Sequence, residues 1–350
     1  MKNRIPVLAI IFFTIFLNML GITIVIPVVA PLLFDNSDSL IENTFVNTLS
    51  VTFVIGLLKA SYPIMQFFGA PILGELADRI GRRKVLIYSL IGSLTGYILF
   101  AVGIIQMNIY LLFAGRIIDG ITGGNIAVIY SSLADISDEK SKPKNFGLVG
   151  MAFGIGFVLG PFIGGITSDP DVLPFFNYAT PFWISALLTF VNIILVIVWF
   201  PETKTTFYKV KLHLLSGIRN LQQAFSDKRM NVLFLSIFFT VMGFSFFTQF
   251  FDVFMIKRFD YDQRSIGLLF GYIGIWIAIS QGLITRYVSH YINSSTVLKT
   301  SIILTAVSLF VISLPQQDYY IYILAPFISI FQGLNQPNYL TILSNHADSA

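Results

Sequence analysis

The sequence predicts an all-α membrane protein of ten helices, six in an N-terminal bundle and four in a C-terminal one. Three observations carry that prediction. Apolar residues make up 55% of the chain and charged residues only 11%, whereas a soluble globular protein carries about 25% charged residues. Apolar runs long enough to cross a membrane recur from end to end, and about 20 such residues span a hydrocarbon core of about 30 Å. Basic residues gather in alternate connections, the asymmetry that orients membrane helices.

Lys2 and Arg4 precede the first apolar run, which reaches about Phe34 with no small-residue cleavage site. It therefore reads as helix 1 and not as a removed signal peptide. The spans that follow are helix 2, 46–73; helix 3, 85–105; helix 4, 108–133; helix 5, 146–167; and helix 6, 179–200. The stretch 201–230 is basic, with Leu212, Leu215, Ile218, Leu221 and Phe225 at helical spacing. It reads as an amphipathic linker lying on the membrane surface between residues 1–200 and residues 231–350. Helix 7, 231–256; helix 8, 265–289; helix 9, 296–314; and helix 10, 319–343, complete the second part.

Charge sets the orientation. With the N-terminus in the cytoplasm, Arg79, Arg82, Arg83, Lys84, Lys140, Lys142, Lys144, Lys204 and Arg229 all fall inside, while Asp35, Asp38, Glu42, Asp169 and Asp171 fall outside. Only Lys257, Arg258 and Arg264 break the pattern. The expected location is a plasma or inner membrane, multi-pass, with the N-terminus cytoplasmic. The net charge of +4 is small and needs no nucleic-acid partner. No cysteine is present, which excludes thiolate catalysis and Cys-ligated metals, and His213, His290 and His346 are too scattered to hold a metal. No cofactor is expected, and paired His/Asp or Ser/His groups of an enzyme are absent from the spans.

Four motifs carry a family resemblance. Between helices 2 and 3 runs Gly74-x3-Asp78-Arg79-x-Gly81-Arg82-Arg83-Lys84, where glycine permits a sharp reversal and Asp78 is placed to cap helix 3. Helix 1 holds Gly21, Pro27 and Pro31; helix 4 holds Gly115-Arg116-x2-Asp119-Gly120 and ends on Ala134-Asp135. Helix 5 holds Gly156, Gly160, Pro161, Gly164 and Gly165, with glycines at i, i+4 and i+8 forming a ridge that a second helix can approach closely. Pro161 is expected to bend it. A fainter echo of the loop motif lies at Gln281–Arg286.

Together these resemble the major facilitator superfamily, and within it the twelve-helix drug:proton antiporters of the tetracycline-efflux type. The resemblance implies two pseudo-symmetric bundles around a central path, and two helices more than the ten read here. It implies export of a small amphipathic compound in exchange for protons, by a monomer working through alternating access. It also implies a cytoplasmic gate formed by the basic loop with Asp78 and Asp135. Members of that group usually carry an acid in helix 1 at the position held here by Asn18.

The spans themselves supply replacements. Lys59 in helix 2 and Arg116 and Asp119 in helix 4 are ionisable groups deep in apolar runs. Each such group costs about 2.5–3.5 kcal/mol at a membrane centre, so it faces a cavity or a partner. Gly56, Lys59, Tyr62 and Gln66 form a polar stripe on helix 2, and Arg116 and Asp119 share a face of helix 4. Asn18, Lys59, Tyr62, Gln66, Arg116 and Asp119 are the expected cavity residues, with Asp119, the one acid read as deep in a span, carrying the proton. Two bases against one acid also suit an importer of a sugar or organic anion. A receptor or scaffold without transport is a third reading, and it would not need an ionisable cavity.

Overall fold

The computed structural model describes residues 4–41, 44, 46–138, 142–204 and 231–347. The amphipathic linker predicted within 201–230 lies almost wholly outside the described residues. Among the described residues ten long helices follow one another: α1 in two segments, Arg4–Thr23 and Ile26–Asp35; α2, Val51–Ile80; α3, Arg82–Ile105; α4 in two segments, Ile109–Gly123 and Ile126–Ile136; α5, Lys142–Thr167; α6, Thr180–Trp199; α7, Asn231–Phe259; α8, Gln263–Ile279 continued by a π turn, Ser280–Ile284, and by Thr285–Tyr291; α9, Ser294–Val311; and α10, Tyr319–Ala347. Nine are long and apolar enough to cross a membrane. α10 is the least apolar of the ten, since Gln332, Asn335, Gln336 and Asn338 interrupt it.

Local chemistry sets the boundaries. Ser50 caps α2, its hydroxyl accepting from the Phe53 amide at 3.3 Å, so the helix starts at Val51 and not at 46. At its other end α2 does not stop at 73. Residues Gly74 to Ile80 continue the helix, and the whole reversal into α3 is made by Gly81, at φ 106°. That left-handed conformation favours glycine. At ~1.5 Å per residue α2 is ~45 Å long, enough to carry its polar end beyond a ~30 Å core. The Gln281–Arg286 echo is likewise not a loop but part of the π turn of α8 and its continuation.

Close packing in lipid rests on van der Waals contact rather than on hydrophobic exclusion, so small residues mark the tight helix pairs. The predicted glycine ridge of α5 faces α1: a Cβ on Gly156 would stand 2.6 Å from that of Met19, and one on Gly164 2.7 Å from the Ile24 carbonyl. Gly165 instead meets α8, where its Cβ would stand 2.8 Å from the Cα of Gly267. α5 runs through Pro161 without a break and is held between α1 and α8.

The first six helices and the last four touch unevenly. On α7, every buried residue lies from Thr248 onward, while Val232, Leu235, Phe238, Phe239, Met242 and Phe246 are exposed. Along α5, Gly147, Gly150 and Gly154 have nothing within 4 Å, whereas Val158 and Gly165 pack on Gly274 and Gly267 of α8. The groups therefore diverge toward the face carrying Arg79 to Lys84, called the basic face below, and close on the opposite face.

Candidate functional site

Glycines bring α2, α3 and α4 together around buried charges. A Cβ on Gly96 of α3 would lie 2.7 Å from the Cβ of Asp119, and one on Gly120 would lie 2.5 Å from the Tyr62 carbonyl. In this packing Arg116 and Asp119 are 4% and 3% exposed, with Nη1 and Oδ2 3.8 Å apart. The guanidinium lies over the Tyr62 ring, 4.6 Å from its centroid, a cation–π contact that gains strength where water is excluded. Gln66 donates from Nε2 to the Gly123 carbonyl at 2.9 Å and to Tyr62 Oη at 3.4 Å.

α4 breaks at Gly124 and Asn125, which places the fully buried Asn125 against α1. Asn18 donates from Nδ2 to Asn125 Oδ1 at 2.6 Å. A cavity of about 510 Å³ opens beside this pair, lined by Asn18, Met19, Gln66, Phe67, Ile126 and Phe153 among others. Tyr62, Arg116 and Asp119 stand behind that lining and do not form it. Arg116 Nε, Asp119 Oδ2 and Asn125 Nδ2 are buried and carry no hydrogen bond. Buried polar atoms are otherwise satisfied at a high rate, so these three mark a site able to accept a proton or a polar ligand group.

Lys59 does not join this group. With α2 starting at Val51, Lys59 sits only ~12 Å from the helix end away from the basic face. It turns to α7, where Nζ meets Asp252 Oδ2 at 2.5 Å and the Gln249 carbonyl at 2.8 Å, both side chains 2% exposed or less. Asp119 is therefore not the only deep acid. The sequence signal for Asp252 was a lone carboxylate two turns inside a Phe-rich span, and an unpartnered Lys59 that had to find a counter-charge.

At the basic face the predicted cluster does assemble. Arg82 pairs with Asp78 at 2.8 Å and with Asp135 at 3.4 Å, and Lys204 pairs with Asp78 at 2.5 Å. Asp78 does not cap α3. Glu202 does so, accepting from the Arg82 amide at 2.8 Å and the Arg83 amide at 3.3 Å. A carboxylate there meets free N–H groups and the positive end of the helix dipole. Arg83 donates to the Ile197 carbonyl, and Arg79 is exposed. Gly74 is helical and lies 3.7 Å, by its Cβ position, from Ala127 of α4. These pairs bind α2, α3, α4 and the segment after α6 to one another.

Helix pairs held by glycine ridges, a cleft open to one face and buried charges beside it define a polytopic helical membrane protein of the major facilitator fold. The chain belongs to the Major Facilitator Superfamily, whose sequence profile matches residues 11–350. It is 37% identical over 190 residues to the class B tetracycline resistance protein of Escherichia coli, covering 54% of this chain and 43% of that one. To the class H tetracycline resistance protein of Pasteurella multocida it is 30% identical over 276 residues, 77% of this chain and 63% of that one. The matched region thus spans less than two thirds of the length of both relatives. Among solved structures it resembles the human organic anion transporter MFSD10, at TM-score 0.71 and 20% identity, covering 96% of this chain and 85% of that one. It also resembles an inward-facing bacterial homologue of the lysosomal transporter Spinster, at TM-score 0.71 and 14% identity, covering 98% and 74%.

Proposed function

We propose that this chain exports a small amphipathic compound, with a tetracycline as the first to test, in exchange for protons. The single observation that carries the reading is the buried Arg116–Asp119 pair behind a cavity edged by Asn18 and Gln66. Asp119 takes the proton, since its Oδ2 is buried with no hydrogen-bond donor. Protonation leaves Arg116 with the Tyr62 ring as its partner and frees the guanidinium to change partner as substrate binds. Substrate enters between α1, α2, α4 and α5 and meets the amides of Asn18 and Gln66. The basic face is cytoplasmic under this reading, the N-terminus lies there too, and the conformation described is inward-open. Residues 1–200 and 231–350 are the two rocking bodies, joined by 201–230, and the Asp78–Arg82–Asp135 cluster with Lys204 holds the first body's cytoplasmic end together as its part of the inner gate.

Two bases against one acid favoured an anion as cargo. Lys59–Asp252 removes that excess, because the charges buried in the interior of the spans become Lys59 and Arg116 against Asp119 and Asp252. Inverted membrane vesicles containing the full chain test the proposal. An imposed acid interior should drive tetracycline accumulation, and adding the drug should collapse part of the proton gradient. Proton movement on adding an organic anion or a sugar, and none with the drug, counts against export.

A further inference from the structure

The face opposite the basic one is closed by contacts that pair cations of the last four helices with the first six. Arg264 at the start of α8 reaches Asp169 at 4.0 Å, and Tyr178 bridges Asp35 at 2.5 Å and Gln263 at 3.4 Å. One layer deeper, Lys257 of α7 donates to Thr52 of α2 at 3.0 Å and sits 5.6 Å from the Phe34 ring centroid. Deepest is Lys59–Asp252, where the sense of charge is reversed and water is excluded. Of the three basic residues that broke the charge asymmetry, Arg264 and Lys257 thus cross this closure, while Arg258 donates to the Leu314 carbonyl within the last four helices.

The geometry points to Lys59 and Asp252 as a latch that holds this face shut in the inward-open state. The inference rests on the alternating-access reading above. The outer contacts are partly exposed, and exposed pairs contribute little. The inner pair differs. Replacing a buried ion pair by apolar residues is often neutral or stabilising, so packing α2 on α7 does not by itself call for charges here. An ion pair has one property an apolar contact lacks. When α2 and α7 part, entering water solvates both charges and the open state is stabilised. Dry, the same charges need each other. Two states follow, both satisfied, with poorly solvated intermediates between them. Lys59 and Asp252 touch neither the cavity nor Asp119, and act by positioning the two groups of helices.

The test uses the full chain, which has no native cysteine. Thr248→Cys places one thiol a turn from Asp252, at a position 8% exposed. An impermeant thiol reagent is applied to each face of the membrane in turn, with Ser39→Cys identifying the closed face. Labelling of Thr248→Cys from that face should be slow with the latch intact. Lys59→Met with Asp252→Leu leaves a dry apolar contact that entering water cannot stabilise, and should slow it further, at least about tenfold, the effect of ~1.4 kcal/mol on opening. Asp252→Asn alone should speed it instead, because Lys59 is left buried without a counter-charge until water enters, and the exchanged pair Lys59→Asp with Asp252→Lys should bring it back toward the parent rate. Labelling of the neutral double variant as fast as the parent or faster overturns the latch, as does slow labelling of Asp252→Asn should the double variant fail to reach the membrane. The readout involves no substrate and no proton gradient, so it can fail while drug–proton exchange holds, and hold while exchange fails.

Discussion

Asn18 and Asn125 are joined by one hydrogen bond, 2.6 Å from Nδ2 to Oδ1, where α1 crosses the break in α4. The bond uses the Asn125 oxygen and leaves its amide nitrogen buried and unpartnered. A carboxylate at position 18 would find that nitrogen as a donor once the Asn125 amide turned over. Asn18→Asp should therefore fold and reach the membrane in normal amounts. In an Asp119→Asn background it should restore part of the proton coupling, read as drug-induced proton flux in vesicles. No recovery, at equal protein, would argue against a shared site.

Asp119→Asn should abolish accumulation against a gradient while leaving passive exchange of substrate. Arg116 then keeps its Tyr62 contact but loses its counter-charge, and breaking a buried pair costs about 3–5 kcal/mol when one charge is left alone. The check is vesicle uptake with and without a proton gradient. Uphill pumping at the normal rate would place the proton site elsewhere.

Glu202 is expected to matter for stability. Glu202→Ala removes the cap of α3 and should cost about 1 kcal/mol, visible as a lower apparent melting temperature in detergent. Gly81→Ala should cost more, because φ is 106° and the added methyl would run into the Glu202 carboxylate. Equal melting temperatures for both variants and the parent would contradict the capping role.

Along α5 the glycines should divide by partner. Gly156→Leu and Gly160→Val drive side chains into Met19 and Thr23, and their yield in the membrane should fall severely. Gly154→Ala meets open space and should be tolerated. Comparable yields for all three would mean that α1 and α5 do not pack as described.

Orientation has a direct measurement. Ser39→Cys should react with an impermeant thiol reagent in intact cells, and Lys84→Cys should not, both positions being exposed on opposite faces. The reverse pattern would invert the topology.

What was legible in the sequence depended on how local the cause was. Ten helices follow from runs of apolar residues, and the α5 ridge follows from a spacing of four, since both are properties of neighbouring residues on one helix. The cluster of Asp78, Arg82 and Asp135 was readable because the motif keeps its charges at the ends of adjacent helices. Glu202 was not, because the segment after α6 had to fold back to the start of α3 before its carboxylate met free amides. Helix ends were also less legible: the polar residues Glu75, Asp78 and Arg79 read as a loop, yet a helix longer than the hydrocarbon core carries them in solvent without breaking.

By itself the sequence determined the membrane class, the order of the helices, the basic face and the presence of charges deep in the spans. Tertiary structure alone decided how those charges are shared. Lys59 and Asp252 are 193 residues apart and belong to different groups of helices. In a medium that solvates neither, each had to find the other or a substitute, and no periodicity along the chain encodes which. The packing of α7 on α2 settled it, leaving Asp119 with Arg116 and giving the closed face its dry ion pair.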